Sequence, residues 1–361
     1  MKPCKKVLFI CKKRKTYGTG PYTHIVSSGL LNSAKFVNDM LVKNGVDSHI
    51  VEVIDNNSID REVTLYKPTH VIIEALWVVP SKFEVLTKLH PNVKWIIRLH
   101  SEIPFIANEG IAMEWIFEYM KYPNVIISVN SPRIEKELNA VASTPMLYLP
   151  NFYPVSFKNK QNIEKQCTDT INIGCFGAVR PMKNHLMQAV AAIKFANETG
   201  KNLRFHINVT RVENNGDPVL KNIRNLFLNS PHELIEHTWL THEEFVKLIS
   251  TMDLCLQVSF SETFNIVTAD AVNNNVPVVV SEEIKWVASI FKVLPTNSDN
   301  IISKIKFTWF VKFFGLQFIN KLLLAWYSLK SEGVWLDYFK YDNCNCDCDC
   351  QDICTCGCNC D

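Results

Sequence analysis

The sequence predicts an α/β protein built from two open, parallel-sheet domains. Three observations carry that prediction. The chain has 361 residues, more than one hydrophobic core ordinarily organises. Short β-rich apolar runs recur along it, separated by helical or polar stretches, which is the pattern of parallel strands joined by crossovers. One unit, Leu254 to Val280, reads as strand, carboxylate-bearing loop, helix and strand. In open α/β sheets the mouth at the carboxyl ends of the strands is where ligands bind.

Composition bounds the function. Hydrophobic residues make up 47% and charged residues 20%, ordinary values for a globular chain. A net charge of +2 argues against a general nucleic-acid binder. Residues 341–361 carry five Asp and no Lys or Arg, so the first 340 residues are mildly basic, at +7. That suits a phosphate-bearing substrate. The N-terminal apolar run Val7 to Cys11 is too short for a signal peptide, and no uncharged stretch approaches membrane-spanning length. Five of the 13 Cys lie in the body, at 4, 11, 167, 175 and 255, as expected of reduced, buried thiols. A cytoplasmic protein, free or held at a membrane surface, is the expectation.

Taken in order, Lys5 to Ile10 begins the first strand. The basic run Lys12-Lys13-Arg14-Lys15 and the loop Thr16-Tyr17-Gly18-Thr19-Gly20-Pro21 follow. A helix with apolar positions at Val26, Leu30, Val37 and Leu41 ends at Asn44-Gly45. Further strands are expected at 49–54, 71–76, 93–99, 125–129 and 146–149. Leu99 is followed by His100, well placed for a cleft. Val129 is followed by Asn130-Ser131-Pro132, where Ser131 can cap a helix that Pro132 opens.

The polar stretch Lys158 to Thr170 reads as a linker. The second domain opens with a strand over 171–176, then Gly177-Ala178-Val179-Arg180-Pro181-Met182-Lys183-Asn184, then a helix from His185 to Glu198 with Gly200 as its stop. Cations at such a strand–helix turn commonly hold a diphosphate. Strands are expected at 203–209 and 235–240, with a polar loop from Arg211 to Pro218. Thr241-His242-Glu243-Glu244 is a capping box for the next helix. Leu254 to Val258 is then a buried strand, Glu262 sits in its loop, and a helix begins near Asn265 and ends in Asn273-Asn274-Asn275. Free N–H groups at the start of that helix suit a phosphate.

The stretch from Glu262 to Val280 resembles the signature of GT-B glycosyltransferases of the family 4 type, which read Glu-x-Phe-Gly-x-x-x-x-Glu, then a glycine and Pro-Val-Val. Asn265 stands where that pattern has Gly, Asp270 where it has Glu, and Asn275 where it has the second Gly. Asn tolerates the left-handed conformation best after glycine, and Asp270 shortens the reach by one methylene. Gly177 and Lys183 match the family's Gly-Arg…Lys element, with Ala178 in place of its Arg and Arg180 two residues later. Leu149-Pro150-Asn151 matches its interdomain element. The resemblance covers roughly residues 5–300 and implies two Rossmann-like domains facing a cleft. Their bounds would be 1–157 for the acceptor and 158–300 for the donor, with helices at 301–340 packing back across the junction.

The function so implied is retaining transfer of a sugar from a nucleotide-sugar to an acceptor hydroxyl on a glycan, lipid or protein, with no metal and no further cofactor. His100 and Glu262 would be catalytic. Gly18, Gly20, Gly177, Arg180, Lys183, Phe264, Asn265, Ile266 and Asp270 would bind the donor. Within that set Lys183, Arg180 and the amides from Phe264 onward would stabilise diphosphate charge, Glu262 would hold sugar hydroxyls and Asp270 the ribose. The departures at Ala178, Asn265 and Asp270 support an alternative, a GT-B module that binds a nucleotide-sugar or glycan without turnover.

Two C-terminal stretches stand apart. Ile302 to Leu329 mixes aromatic residues with lysines, fitting either helices packed on the body or contact with a membrane surface through 304–330. Asn343 to Asp361 holds four Cys-x-Cys pairs and almost no core-forming residue, so no fold of its own is expected. Thiols so spaced can bind soft metals, but they lack the spacing of a structural zinc module.

Overall fold

The computed structural model describes residues 5–13, 29–158, 169–213 and 215–341. Gly18 and Gly20, most of the expected linker and the Cys-rich tail lie outside these residues. The described chain forms two six-stranded sheets, each entirely parallel.

The first sheet contains β1 (Lys6–Lys12), β2 (Asp47–Val53), β3 (His70–Glu74), β4 (Lys94–Leu99), β5 (Val125–Val129) and β6 (Leu147–Tyr148), in the order β2-β1-β3-β4-β5-β6. The helices between them are α1 (Gly29–Lys43), α2 (Ile59–Tyr66), α3 (Phe83–Leu89), α4 (Ile103–Ile106), α5 (Ala112–Tyr119) and α6 (Pro132–Asn139). The second sheet contains β7 (Thr170–Gly174), β8 (Asn202–Asn208), β9 (Glu233–His237), β10 (Leu254–Gln257), β11 (Val278–Ser281) and β12 (Lys292–Val293), in the order β12-β11-β10-β7-β8-β9. Its helices are α7 (His185–Thr199), α8 (Gly216–Leu228), α9 (His242–Ser250), α10 (Ile266–Asn273) and α11 (Ser298–Val311). The last helix is α12 (Phe318–Leu336).

The central strands are buried on both faces, which is why they read as continuous apolar runs and not as alternating ones. Edge strands β2 and β9 are mixed in burial. Local signals worked as physics requires. Ser131 accepts from the Ile134 amide at the start of α6, and Thr241 forms the capping box of α9. Gly200 ends α7 in the left-handed region. The stretch expected as loop up to Pro218 differs, because α8 already begins at Gly216. A Cβ there would meet the Val179 carbonyl oxygen at 2.1 Å, so glycine lets the two backbones touch.

Of the two C-terminal helices, α11 packs beside α7 in the second domain, whereas α12 crosses to the first. Fully buried Trp335 of α12 lies against Phe9 of β1 and donates from Nε1 to the Pro150 carbonyl at 2.8 Å. Trp335, Leu336 and Phe339 join one apolar cluster with Val7, Phe9 and Leu41.

Candidate active site

The two domains face each other across a cleft of about 680 Å³, lined by the carboxyl ends of β1, β3 and β4 on one side and of β7, β8 and β10 on the other. That volume suits a ligand of nucleotide-sugar size. Every donor-site residue named from the sequence that falls among the described residues is at this cleft or adjoins it.

The turn after β7 is fixed by Gly177, whose φ of +126° L side chains rarely adopt. Its amide donates to Asn208 Oδ1 at 3.1 Å. The turn delivers Lys183 to the cleft, where its ammonium donates to Glu262 Oε1 in a short ion pair between two largely buried side chains. Burial lowers the Lys183 pKa, Glu262 opposes that shift and neighbouring Arg180 adds to it. Arg180 reaches the cleft as well, but its guanidinium lies 3.6 Å from Glu213 and stacks 4.4 Å over the Phe105 ring of the opposite domain. Glu109 completes this corner; burial lifts its carboxyl, Arg180 opposes and Glu213 adds.

Helix α10 opens at Asn265 with φ 61°, the left-handed conformation that the glycine of the resembled pattern would favour. The Asn side chain adds what glycine cannot. Oδ1 accepts from the Thr268 amide at 2.8 Å, and Nδ2 donates to Gln257 Oε1 at 2.8 Å. The amides of Asn265, Ile266 and Val267 have no acceptor among the described residues. They form the positive end of α10, beside Lys183 and Glu262. The Phe264 ring turns inward, stacking on Tyr327 and tilting against Trp286, so its contribution at the cleft is backbone. Asn275 at the far end of α10 is also left-handed, with φ 60°.

Buried Asp270 faces the cleft from the same helix. Its Oδ1 accepts from the Tyr153 hydroxyl at 2.8 Å and from His242 Nε2 at 2.8 Å. Phe36 of α1 packs edge-on against both of those rings. A ribose at this carboxylate would share it with them.

Across the cleft, His100 stands at the end of β4. Its Nε2 donates to Glu74 Oε2 in a short contact, and Asn130 Nδ2 lies 3.4 Å from its Nδ1. Burial alone would lift the Glu74 carboxyl, but fully buried Arg98 and His100 hold it below the usual range. Burial and Arg98 lower the His100 pKa against the pull of Glu74. Arg98 also donates to the carbonyls of Leu149 and Pro150 and, at 2.8 Å, to Asn151 Oδ1, fixing the interdomain element.

Contacts between the domains are direct. Asn130 Nδ2 donates to Thr263 Oγ1 at 3.0 Å, and that hydroxyl donates to the His100 carbonyl at 3.3 Å. Arg133 bridges Glu102 at 3.1 Å and Glu283 at 2.6 Å. Sequence reasoning missed Glu74, His242, Glu109 and Glu213 as cleft groups, and Tyr153 as the buried partner of Asp270. Glu74 alone carried a local signal, a carboxylate closing the buried run His70-Val71-Ile72-Ile73.

No protein-family model and no curated protein sequence matches the chain. Solved structures do. A UDP-forming α,α-trehalose-phosphate synthase from Burkholderia vietnamiensis aligns at TM-score 0.65 and 8% identity over 94% of this chain and 97% of that one. A glycosyltransferase from Rickettsia africae aligns at 0.64 and 12%, over 93% and 99%. Anabaena HepE in complex with UDP-glucose aligns at 0.62 and 12%, over 93% and 99%. The fold is GT-B. At these identities the likeness establishes architecture, and the chemistry must be argued from this chain's own residues.

Proposed function

We propose that the protein is a retaining glycosyltransferase of the family 4 type that moves a sugar from a nucleotide-sugar to an acceptor hydroxyl. The observation that carries this reading is the Lys183–Glu262 pair, set beside the open amides of α10 at the mouth of the second sheet. The three similar structures named above are a UDP-forming synthase, a glycosyltransferase and a protein holding UDP-glucose.

On this reading the donor diphosphate lies between Lys183 and the amides of Asn265 and Ile266. Transfer breaks the bond from the anomeric carbon to the diphosphate oxygen and forms one to the acceptor oxygen, whose hydroxyl proton passes to the departing diphosphate. Negative charge grows on the departing diphosphate, where fixed N–H dipoles and an ammonium in a dehydrated cleft stabilise it without reorganisation. No metal is required in this scheme. Glu262 exchanges its partner Lys183 for sugar hydroxyls as the diphosphate takes the ammonium. Asp270, oriented by Tyr153 and His242, accepts from the ribose. His100, oriented by Glu74, faces the sugar from the opposite domain. The resemblance would also assign Gly18 and Gly20 to the donor.

The alternative, binding without turnover, draws on Ala178 in place of Arg and on the engagement of Arg180 with Glu213. Incubating purified protein with a panel of nucleotide-sugars and hydroxyl acceptors, followed by mass spectrometry, separates the two. Release of nucleoside diphosphate with a glycosylated product supports transfer. Saturable donor binding with no turnover across the panel supports the binding module.

A further inference from the structure

Helix α12 is amphipathic in the reverse sense. The face packed on the protein carries Asn320, Lys321, Ser328 and Ser331 alongside Leu324 and Trp335. The outward face carries Ile319, Leu322, Trp326 and Leu329 at helical spacing. The turn before it continues this surface. Phe310, Phe313 and Phe314 are 63%, 73% and 74% exposed, and Gly315 (φ 69°) turns the chain into the next helix. Most inward polar groups have partners: Lys321 Nζ donates to the Asn273 carbonyl at 2.9 Å, Asn320 Oδ1 accepts from the Ala288 amide at 2.9 Å, Ser328 Oγ accepts from the Tyr153 amide at 3.3 Å and Ser331 Oγ donates to the Tyr327 carbonyl at 2.9 Å, whereas Asn320 Nδ2 has none among the described residues. The inversion is therefore a built feature and not a misplaced helix. So many large apolar side chains on one surface mark an interaction site.

Charge indicates the partner. Between Asp299 and Glu332 there is no acidic residue; Lys321 turns inward and Lys306 pairs with Glu198 at 2.5 Å, which leaves Lys304, Lys312 and Lys330 as the at least partly exposed cations of the hairpin. Lys330 lies 3.7 Å over the Trp326 ring, and Lys312 lies 3.0 Å over Trp309 and 5.5 Å from Phe313. Lysines whose stems run along aromatic rings, with the rings beside a phenylalanine-rich tip, match a boundary between lipid tails and anionic headgroups. No helix among the described residues is long and apolar enough to cross a membrane.

We infer that the α11–α12 hairpin docks on an anionic bilayer, inserting Phe310, Phe313, Phe314, Leu322 and Trp326 into the interface while Lys312 and Lys330 meet headgroup phosphates. No residue of the hairpin lines the cleft, and the inference does not depend on the transfer reading.

The test is co-sedimentation of the full chain with phosphatidylcholine vesicles, with and without phosphatidylserine. Binding is expected on the anionic vesicles, weakened by salt, and slight on the neutral ones. Lys312→Ala and Lys330→Ala should each weaken it about fivefold. Phe313→Ser combined with Phe314→Ser should weaken it at least about tenfold. Melting curves should stay unchanged for the Phe313, Phe314 and Lys330 changes, whose side chains are exposed. If the double phenylalanine variant fails to fold, the two lysine variants still decide the matter. Absence of binding, or binding indifferent to all these substitutions, overturns the inference. So does a concentration-dependent dimer abolished by the phenylalanine changes without vesicle binding, which would assign the face to a second copy of the chain.

Discussion

Lys183 and Glu262, 79 positions apart in sequence, close one ion pair at the carboxyl edge of the second sheet. Each is therefore occupied before substrate arrives, and the two should respond differently to removal. Lys183→Ala should lower transfer about 100-fold and weaken binding of free nucleoside diphosphate, because a cation in a desolvated cleft contributes on the order of 3 kcal/mol. Glu262→Gln should lower transfer about as much yet leave nucleoside diphosphate binding intact or tighter, because it releases the ammonium. Calorimetry on the two variants distinguishes these outcomes. Equal weakening in both would refute the assignment of Lys183 to the diphosphate and Glu262 to the sugar.

Asp270 links the donor site to the junction through Tyr153 and His242. Asp270→Ala should weaken nucleoside diphosphate binding and also destabilise the fold, since it strands a buried tyrosine hydroxyl. Tyr153→Phe removes one donor and leaves the carboxylate in place. It should cost about 1 kcal/mol in urea unfolding while leaving diphosphate affinity within about twofold. A large affinity loss in the Phe variant would show that the hydroxyl itself contacts the ligand.

The cap at Asn265 makes a sharper test of backbone conformation. Asn265→Gly keeps the left-handed residue and loses the three side-chain bonds, to Gln257 and from the Thr268 amide and hydroxyl, so a loss of about 1 kcal/mol is expected. Asn265→Ala loses the same bonds but, unlike the glycine variant, keeps a Cβ at a left-handed φ without the local hydrogen bonds that let asparagine tolerate it, adding about 1–2 kcal/mol relative to glycine. Thermal or urea unfolding should rank Ala well below Gly; the reverse order would contradict the observed φ.

Arg133 joins the two domains by holding Glu102 on its own side and Glu283 on the other. Arg133→Ala should destabilise by about 3 kcal/mol because it leaves buried Glu102 without its cation. Glu283→Ala, at a more exposed position, should cost under about 1 kcal/mol. If both cost the same, the bridge acts mainly between domains, and solution scattering of the two variants would then show equal expansion.

Stability should depend on pH through buried histidines. Burial, with nearby lysines contributing, pulls His70 down to about 4. Burial with Lys183 and Arg180 pulls His185 to about 3, and burial with His237 pulls His206 to about 4. An unfolded histidine titrates near about 6.5. Between those values the unfolded chain binds more protons, so their contribution is complete above about pH 6.5 and is lost as pH falls toward about 4. Urea unfolding at about pH 5 should report a stability lower than at about pH 7.5 by on the order of a few kcal/mol. A flat profile would show these rings to be solvated.

The fold was legible because its signals are local. A strand buried on both faces must be continuously apolar, as Val278-Val279-Val280 is, and a cap such as Thr241 with Glu244 acts within four residues. Gly177, Lys183 and Glu262 were readable for the same reason, each sitting at the end of such a strand. What stayed hidden was partnership across the sequence. Nothing near Asp270 announces Tyr153, 117 residues away, and nothing near Arg180 distinguishes Glu213 from any other acid in a polar loop. The outward face of α12 was only half legible. Its mix of aromatic residues and lysines fits either packed helices or a membrane surface, and only the packing shows that the polar residues are the ones turned inward.

Trp335 carries a consequence for how the protein is made. The sheet that begins at Lys6 is sealed by a side chain translated more than three hundred residues later. A nascent first domain leaving the ribosome therefore presents Val7, Phe9 and the facing side of α1 to solvent, and to chaperones, throughout synthesis of the second. The last helix acts as a closing stitch. Until it is in place, the spacing of the cleft's two walls rests on contacts such as Asn130 with Thr263 and Arg133 with Glu283.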